Sequence, residues 1–252
     1  MKEAGAMAPR IHEYLRKKAK KVRKTTSLLS DYSRVSKLRE YLRARGKMNA
    51  VFIWIPKTAG ASFYSRIDAP KLWVSLHRVK YRFANRGTVT FSHMDYAELV
   101  RQGYVSRKFD ESAYKFSFVR NPYDRTVSLF HYLKKRGIVP ADESFLEFCR
   151  KLRDEGCEPI GLYNVLGRSQ CNPQVRWLEN IKMDFVGRFE SIAEDSEKVF
   201  RHLGLKDVHL PVINKTAHAS YKECYCPESK EIVEKFYAED FRSLGYEYDS
   251  SF

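Results

Sequence analysis

Two cationic side chains stand where short apolar runs give way to loops. Lys57 follows the run VFIWIP at residues 51–56, and Arg120 follows YKFSFV at residues 114–119. A cation at such a place is suited to binding an anion, because loop N–H groups and a following helix N-terminus also favour negative charge. Arginine binds phosphate through a planar fork of donors, whereas lysine acts as a compact point charge. The pair therefore indicates a ligand with two separate phosphate-like groups.

Two buried strands are the elements that must position these cations. Residues 51–55 and 114–119 are short and rich in β-branched and aromatic side chains, which predicts strands and not helices. Pro56 has no N–H to give to a sheet and ends the first strand. Asn121 and Pro122 are typical of a helix start after the second strand. Each cation is thus predicted to lie in a strand, loop and helix unit.

The helix after Arg120 carries two further candidates. Ser128 lies eight residues after Arg120, so one or two helical turns bring its hydroxyl back toward the same anion. The alternative for Ser128 is an ordinary serine on a helix surface. Arg125 is a candidate to share the anion, and the alternative is an ion pair with Asp124 or another surface acid. The sequence leaves both choices open.

The loop after Lys57 is built mainly from small residues, so its backbone can approach a ligand closely. A Walker A loop needs glycine directly before its lysine and a second glycine five positions earlier. This chain has Pro56 and Val51 at those places. A nucleotide triphosphate hydrolase is therefore disfavoured, while other kinds of phosphate cradle remain open.

The two segments together resemble the donor-binding motifs of a known enzyme family. IPKTAGASF, at residues 55–63, is similar to the 5′-phosphosulfate loop of sulfotransferases that use 3′-phosphoadenosine 5′-phosphosulfate (PAPS). FVRNPYDRTVS, at residues 118–128, is similar to their 3′-phosphate element. The resemblance points to carbohydrate sulfotransferases related to heparan sulfate 2-O-sulfotransferase, including bacterial members, and covers about residues 50–248.

This resemblance implies a role for each matching residue. It assigns Arg120 and Ser128 to the 3′-phosphate of the donor. It assigns six loop residues to the 5′-phosphosulfate: Lys57, Thr58, Ala59, Gly60, Ala61 and Ser62. Many relatives have threonine at the place of Ala61, so one hydroxyl contact is missing while the backbone N–H is retained. A loop that closes over the nucleotide in relatives is matched by Asn214, Lys215 and Thr216.

Sulfuryl transfer also requires a base for the acceptor hydroxyl and a cation for the departing phosphate. Histidine suits the first task, because its unperturbed pKa of about 6.5 lies near working pH. His93 follows the strand-like residues 88–92, and ligands bind at strand ends in α/β sheets. In the family that the chain resembles, a histidine at this place is the catalytic base; the alternative for His93 is a half-buried residue bonded to a backbone carbonyl. Lys57 is implied to stabilise the bridging oxygen of the departing phosphate.

Length and pattern predict one α/β domain. A chain of 252 residues can bury one sizeable core. Apolar segments alternate with helical ones, including residues 192–203 and 227–244, which predicts a mainly parallel sheet flanked by helices. The resemblance implies the P-loop-like sulfotransferase fold over residues 50–252. Residues 1–49 are predicted to form a basic arm that is helical or flexible.

Positive charge is concentrated in this arm. Residues 1–50 contain fifteen Lys and Arg against four Asp and Glu, which is +11 of the chain's formal +15. Such a segment is by default a solvated extension. It can instead lie on an anionic membrane surface or attract an acidic glycan. Nucleic acid is the least favoured partner, because no nucleic-acid-binding motif accompanies the charge.

Location is predicted from what the sequence does not contain. It has no apolar run of about eighteen residues and no apolar signal-peptide region near its start. Its five cysteines have no metal-type spacing and fit reduced thiols. We expect a bacterial enzyme of the cytoplasm that can associate with the inner face of a membrane, or else a truncated chain.

The resulting hypothesis is a PAPS-dependent sulfotransferase. It would transfer a sulfuryl group to a hydroxyl of a carbohydrate or other glycoconjugate and release adenosine 3′,5′-bisphosphate, with no metal expected. One alternative is a nucleotide-binding module without catalysis. Another is a phosphotransferase that uses the same cradle, which would need Mg²⁺ and acidic ligands near Thr58. A third is a protein that acts through the basic arm alone.

Overall fold

The computed structural model of the chain describes residues 50–60, 80–83, 87–90, 95–101, 107–157, 169–204, 210 and 220–251. Its strands are β1 (Ala50–Ile53), β2 (Lys80–Phe83), β3 (Gly87–Thr90), β4 (Tyr114–Val119) and β5 (Phe185–Arg188). Its α-helices are α1 (Tyr96–Arg101), α2 (Arg107–Ser112), α3 (Pro122–Lys135), α4 (Phe145–Glu155), α5 (Ile192–His202), α6 (Pro227–Phe236) and α7 (Ala238–Leu244). Short 3₁₀ turns are η1 (Gln174–Trp177), η2 (Phe189–Ser191) and η3 (Tyr221–Cys224).

A parallel sheet of three strands, in the order β1, β4, β5, forms the centre of the described fold. The middle strand β4 is covered on both faces, and Phe116, Ser117 and Phe118 are fully buried. Two polar residues, Lys115 and Ser117, alternate with the aromatic residues of this strand, and both are buried as well. The predicted α/β class with a parallel sheet and flanking helices is confirmed. β2 and β3 form a separate antiparallel pair. The strand-like residues that precede His93 fall in β3, which among the described strands is not part of the parallel sheet, so the argument that His93 follows a strand of that sheet is wrong.

Apolar clusters pack the helices against the sheet and against one another. On one side, Phe52, Phe116 and Phe118 pack with Val199 and Phe200 of α5. The larger cluster joins α3 to α4, α6 and α7. Its members from α3 are the four residues of one apolar stripe: Tyr123, Val127, Phe130 and Leu133. Burial of this stripe fixes α3 against the C-terminal helices, and α3 in turn carries the residues that follow Arg120.

The helix predicted over residues 227–244 is broken in the structure. α6 ends at Phe236, Tyr237 leaves the helical conformation with φ −104° and ψ 22°, and α7 begins at Ala238. The Tyr237 ring is buried, and its hydroxyl donates to the carbonyl oxygen of Cys171 at 2.8 Å. The helix break thus coincides with a long-range contact, which no local sequence signal predicts.

The sequence analysis also made predictions about the basic arm, the cysteines and membrane-spanning segments. The predicted arm at residues 1–49 lies outside the described residues, so its boundary with the domain stays a prediction. All five cysteines are described and all are free thiols. Among the described helices, none combines the length and apolarity that a bilayer crossing requires.

Candidate functional site

The ends of β1 and β4 lie side by side in the sheet. The strands are parallel with Ile53 opposite Ser117, and the Ser117 hydroxyl donates to the Ile53 carbonyl oxygen at 2.7 Å. The two loops therefore leave the same edge of the sheet. Beyond that edge, Nη1 of Arg120 donates to the Lys57 carbonyl oxygen at 3.3 Å. Two cations that are far apart in sequence are thus brought together at one site.

The Lys57 loop has an unusual backbone. Lys57 and Ala59 have positive φ angles of 69° and 65°, in the left-handed region that residues with a Cβ rarely adopt. This conformation costs roughly 1–2 kcal/mol for each such residue. Inside the loop, the buried Thr58 hydroxyl donates to the Ile55 carbonyl oxygen at 2.9 Å. Left-handed residues in short loops turn successive N–H groups into a concave anion-binding surface.

Gly60 is required by a neighbouring side chain. A Cβ at residue 60 would lie 1.9 Å from Nε1 of Trp54, so only glycine leaves room for the indole. Trp54 follows β1 and stacks on Phe52, with ring centroids 6.2 Å apart. The sequence suggested that glycine lets a ligand approach the backbone. The structure gives a second reason, which is that a Cβ at residue 60 would overlap the Trp54 indole.

The Lys57 side chain is half-buried and rests on an aromatic ring. Its Nζ lies 4.6 Å from the centroid of the Tyr132 ring, a cation–π contact with a residue of α3. Within the described residues, no carboxylate pairs with it. Burial, followed by the charge of Arg120, lowers the pKa of Lys57 from 10.5 to about 8. The ammonium is therefore partly desolvated, and its charge is poorly compensated by the protein.

The Arg120 side chain is held on several sides. Its Nε and Nη2 lie 2.8 and 2.7 Å from Oδ2 of Asp124, one helical turn away on α3. The ring of Phe189 covers the guanidinium at 4.1 Å. Asp124 thus pairs with Arg120, and the alternative of a pair between Arg125 and Asp124 is wrong.

The Arg120 backbone is clamped by Gln174 of η1. The Arg120 N–H donates to Oε1 of Gln174 at 2.8 Å, and Nε2 of Gln174 donates to the Arg120 carbonyl oxygen at 2.8 Å. Asp240 of α7 in turn accepts from the backbone N–H groups of Gln174 and Val175 at 2.8 and 2.9 Å. Burial raises the pKa of the Asp240 carboxyl, while these hydrogen bonds and the nearby Arg125 act in the opposite direction. The C-terminal helix thereby fixes the position of Arg120.

Ser128 lies between the two cations along α3. Residues four apart share a helix face, so Asp124, Ser128 and Tyr132 form one row. Arg120 is bound at the Asp124 end of this row, and the Lys57 ammonium rests on the ring at the Tyr132 end. The Ser128 side chain is half-buried. This placement is compatible with a hydroxyl that reaches a ligand spanning both cations.

Arg125 is the residue of the site that sequence reasoning misplaced. It points away from the row of Ser128 and is 1% exposed. Its guanidinium donates to the carbonyl oxygens of Pro56, Asn172 and Gln170 at 3.1, 3.1 and 2.7 Å. A helical wheel contains a signal for this, because position 125 falls on the same buried face as Pro122 and Leu129.

Several predicted site residues cannot be placed, because they lie outside the described part of the chain. These are His93, Ala61, Ser62, Asn214, Lys215 and Thr216. Lys57, Thr58, Ala59 and Gly60 lie in one loop, and Arg120 and Ser128 lie beside it. Among the described residues, no three His, Cys, Asp or Glu side chains are grouped so that they would hold a metal ion.

Comparisons with known proteins give the chain a family. The model of the sulfotransferase family matches residues 43–247. An uncharacterised protein of Archaeoglobus fulgidus is 29% identical over 119 residues, which is 47% of this chain and 91% of that protein. A crystal structure of a sulfotransferase from Alicyclobacillus acidocaldarius aligns with 22% identity and a TM-score of 0.36. That alignment covers 62% of this chain and 60% of the other, so less than two thirds of the solved structure is matched.

The family match includes every described element that builds the site. It contains the Lys57 loop, the end of β4 with Arg120, the row on α3, and both η1 and α7, which clamp Arg120. More than half of the chain is covered by this one match. The chain belongs to the sulfotransferase family, the enzymes that transfer sulfuryl groups.

Proposed function

We propose that this enzyme transfers the sulfuryl group of PAPS to a hydroxyl of a carbohydrate or glycoconjugate, as carbohydrate sulfotransferases related to heparan sulfate 2-O-sulfotransferase do. The observation that carries the proposal is the meeting of Lys57 and Arg120 at adjacent strand ends. PAPS has a 5′-phosphosulfate and a 3′-phosphate on one ribose. Two cations on neighbouring loops match two anionic groups on one ligand.

Lys57 has the properties needed at the 5′ end. In the reaction, the acceptor oxygen forms a bond to sulfur while the bond from sulfur to the 5′-phosphate oxygen breaks. Negative charge develops on that phosphate oxygen as adenosine 3′,5′-bisphosphate departs. A partly desolvated ammonium stabilises this charge more strongly than a solvated one would, because the local dielectric constant is low. Thr58, Ala59 and Gly60, with Ala61 and Ser62, would supply the surrounding N–H groups.

Arg120 and Ser128 are suited to the 3′-phosphate. Asp124 already holds the guanidinium with its fork extended toward the row on α3. A phosphate carries about two negative charges and three acceptor oxygens, so it competes well with one carboxylate for the fork. Ser128 would donate its hydroxyl to the same group. In this arrangement the 3′-phosphate selects the donor and the 5′ end reacts.

The acceptor side of the proposal rests on the resemblance of the motifs. His93 would take the proton from the acceptor hydroxyl as the oxygen attacks sulfur. Asn214, Lys215 and Thr216 would close over the nucleotide. The acceptor is proposed to be a glycan, which the basic arm at residues 1–49 would attract if the glycan is acidic.

Binding of the reaction product tests the donor. Isothermal titration of the full chain with adenosine 3′,5′-bisphosphate is expected to show binding, and adenosine without phosphates is expected to show none. Addition of EDTA should leave this binding unchanged. Absence of binding to the bisphosphate would overturn the donor assignment, and a strict requirement for Mg²⁺ would favour the phosphotransferase alternative.

Turnover tests the reaction and its base. With radiolabelled PAPS and a panel of glycans, label is expected to pass to a glycan hydroxyl. His93→Ala should bind adenosine 3′,5′-bisphosphate like the wild type while turnover collapses. Unchanged turnover in this variant would exclude His93 as the base. A wild-type protein that binds the nucleotide but transfers no label to any hydroxyl compound would be a binding module.

A further inference from the structure

We propose that Arg125 is a positioning residue that holds the Lys57 loop in its anion-binding conformation, a role that rests on the function proposed above. Arg125 is a charged side chain inside the protein, 1% exposed. Arginine stays protonated under all ordinary conditions, so its charge must be compensated where it lies. Within the described residues, no carboxylate lies within ion-pairing distance of it.

Backbone carbonyls from two separate segments accept the hydrogen bonds of Arg125, while the Asp240 carboxyl and the Tyr237 ring, at 5.9 Å, lie near the guanidinium. Nε donates to the Pro56 carbonyl oxygen at 3.1 Å. The other two bonds go to Asn172 and Gln170, at 3.1 and 2.7 Å. A buried charge is costly unless all its donors find acceptors, so the guanidinium is satisfied only when both segments are in place. Arg125 therefore ties the Lys57 loop to the segment that precedes η1.

The contact with Pro56 fixes the direction of the Lys57 backbone. The peptide bond is planar, so the Pro56 carbonyl and the Lys57 N–H lie in one plane and point in opposite directions. Arg125 anchors this plane, and Nη1 of Arg120 anchors the next plane through the Lys57 carbonyl at 3.3 Å. Anchoring the planes on both sides of a residue sets its φ and ψ. The residue between them is Lys57, whose φ of 69° is unfavourable without such support.

Loss of Arg125 is expected to affect only the 5′ end of the bound nucleotide. The backbone angles of Lys57 aim its Cα–Cβ bond, and hence set the path of its ammonium past Tyr132. Arg120, by contrast, is held through Asp124, Phe189 and Gln174. Gln174 follows the segment that Arg125 binds, but Asp240 also holds it, through the backbone N–H groups of Gln174 and Val175. Loss of Arg125 should therefore weaken binding of the 5′-phosphate group and leave binding of the 3′-phosphate group nearly unchanged.

Arg125→Lys tests this split in the full chain. Lysine keeps the charge but is a point donor that cannot span two segments. Affinities for adenosine 5′-monophosphate and adenosine 3′-monophosphate are measured by titration. The 5′ affinity is expected to fall on the order of tenfold, equivalent to about 1.4 kcal/mol, while the 3′ affinity changes less than about twofold. Ser128→Ala is the matched control from the same helix, and it should show the opposite preference.

A second variant keeps the test possible if Arg125→Lys does not fold. Arg125→Met removes the charge and keeps an unbranched chain, and a buried charge is often replaced well by an apolar residue. It is expected to show the same selective loss at the 5′ end. Equal loss for both monophosphates, no loss in either, or failure of both variants to fold would overturn the positioning role. Wild-type affinity for the two monophosphates tests the proposed function separately, and absence of both would overturn it together with this role.

Discussion

Lys57 and Arg120 occupy equivalent places at the ends of neighbouring parallel strands, yet the protein treats them differently. Arg120 is paired with Asp124, covered by Phe189 and clamped by Gln174. Lys57 rests on the Tyr132 ring, and within the described residues it has no carboxylate partner. Its pKa is lowered to about 8, so its charge is held at a cost.

This difference suits the two cations to two different roles, ligand binding and stabilisation of the transition state. A cation that is already compensated can bind a permanent charge and fix the ligand without changing much during the reaction. A cation that is poorly compensated gains most when new negative charge appears beside it, which happens in the transition state. For the function proposed above, Arg120 would therefore be the docking end of the site and Lys57 the reacting end.

The largest expected effect follows from removal of the reacting cation. Lys57→Ala should lower kcat by roughly 10²- to 10³-fold, the range found when one donor to a developing oxyanion is removed. Transfer of radiolabelled sulfate is the measurement. Lys135→Ala, an exposed cation in the last turn of α3, is the control and should keep wild-type turnover. A Lys57→Ala enzyme with nearly full kcat would show that the two ends do not differ as described.

Removal of the docking cation should act on binding first. Arg120→Ala should weaken binding of adenosine 3′,5′-bisphosphate roughly 10- to 100-fold, because a charge-assisted hydrogen bond contributes about 1.5–3 kcal/mol. Arg120→Lys should give an intermediate loss, since an ammonium cannot use both prongs of the fork. Isothermal titration checks both variants. An Arg120→Ala protein that binds normally but turns over slowly would reverse the proposed division of work.

The sequence predicted that these two cations lie close together, but it did not predict that their environments differ. The apolar runs, Pro56 and the Asn121–Pro122 pair are local signals, and parallel strands bring their ends together by geometry alone. The Tyr132 ring, the Gln174 clamp and the Asp240 cap depend on packing between distant segments. No local spacing encodes such contacts, so sequence could nominate the cations without saying which one is compensated.

The position of Arg125 was also beyond what the sequence pattern could predict. Its partners are backbone carbonyls, which every residue has, so no partner residue type marks the contact in the sequence. The available signal was an arginine on the buried face of α3. The prediction of one helix over residues 227–244 was wrong at Tyr237, where the chain breaks and the buried hydroxyl binds a backbone carbonyl, that of Cys171.

The lowered pKa of Lys57 predicts a pH dependence that the Arg120 end lacks. Lys57 is an ammonium below its pKa of about 8 and loses its charge as pH rises through that value. Because kcat/KM reports the free enzyme, it should be about tenfold lower at pH 9 than at pH 7. The same profile in adenosine 3′-monophosphate binding should be flat over this range. A kcat/KM that stays level to pH 10 would contradict the desolvated state of Lys57.

The smallest expected effect concerns the ring under Lys57. Tyr132→Leu removes the cation–π contact, worth about 0.5–1 kcal/mol, so the alkaline limb of kcat/KM should move down by roughly half a pH unit. Tyr132→Phe keeps the ring and should leave the limb in place. Equal behaviour of the two variants would show that the ring does not support the ammonium.

A crystal structure of the chain with adenosine 3′,5′-bisphosphate tests the central claim most directly. The account predicts the 5′-phosphate against Lys57 and its loop, and the 3′-phosphate on the Arg120 fork with Ser128 beside it. It also predicts that the contact between Arg120 and Asp124 loosens as the phosphate takes over the fork. A nucleotide bound in the reverse direction, or bound away from these two strand ends, would contradict the account.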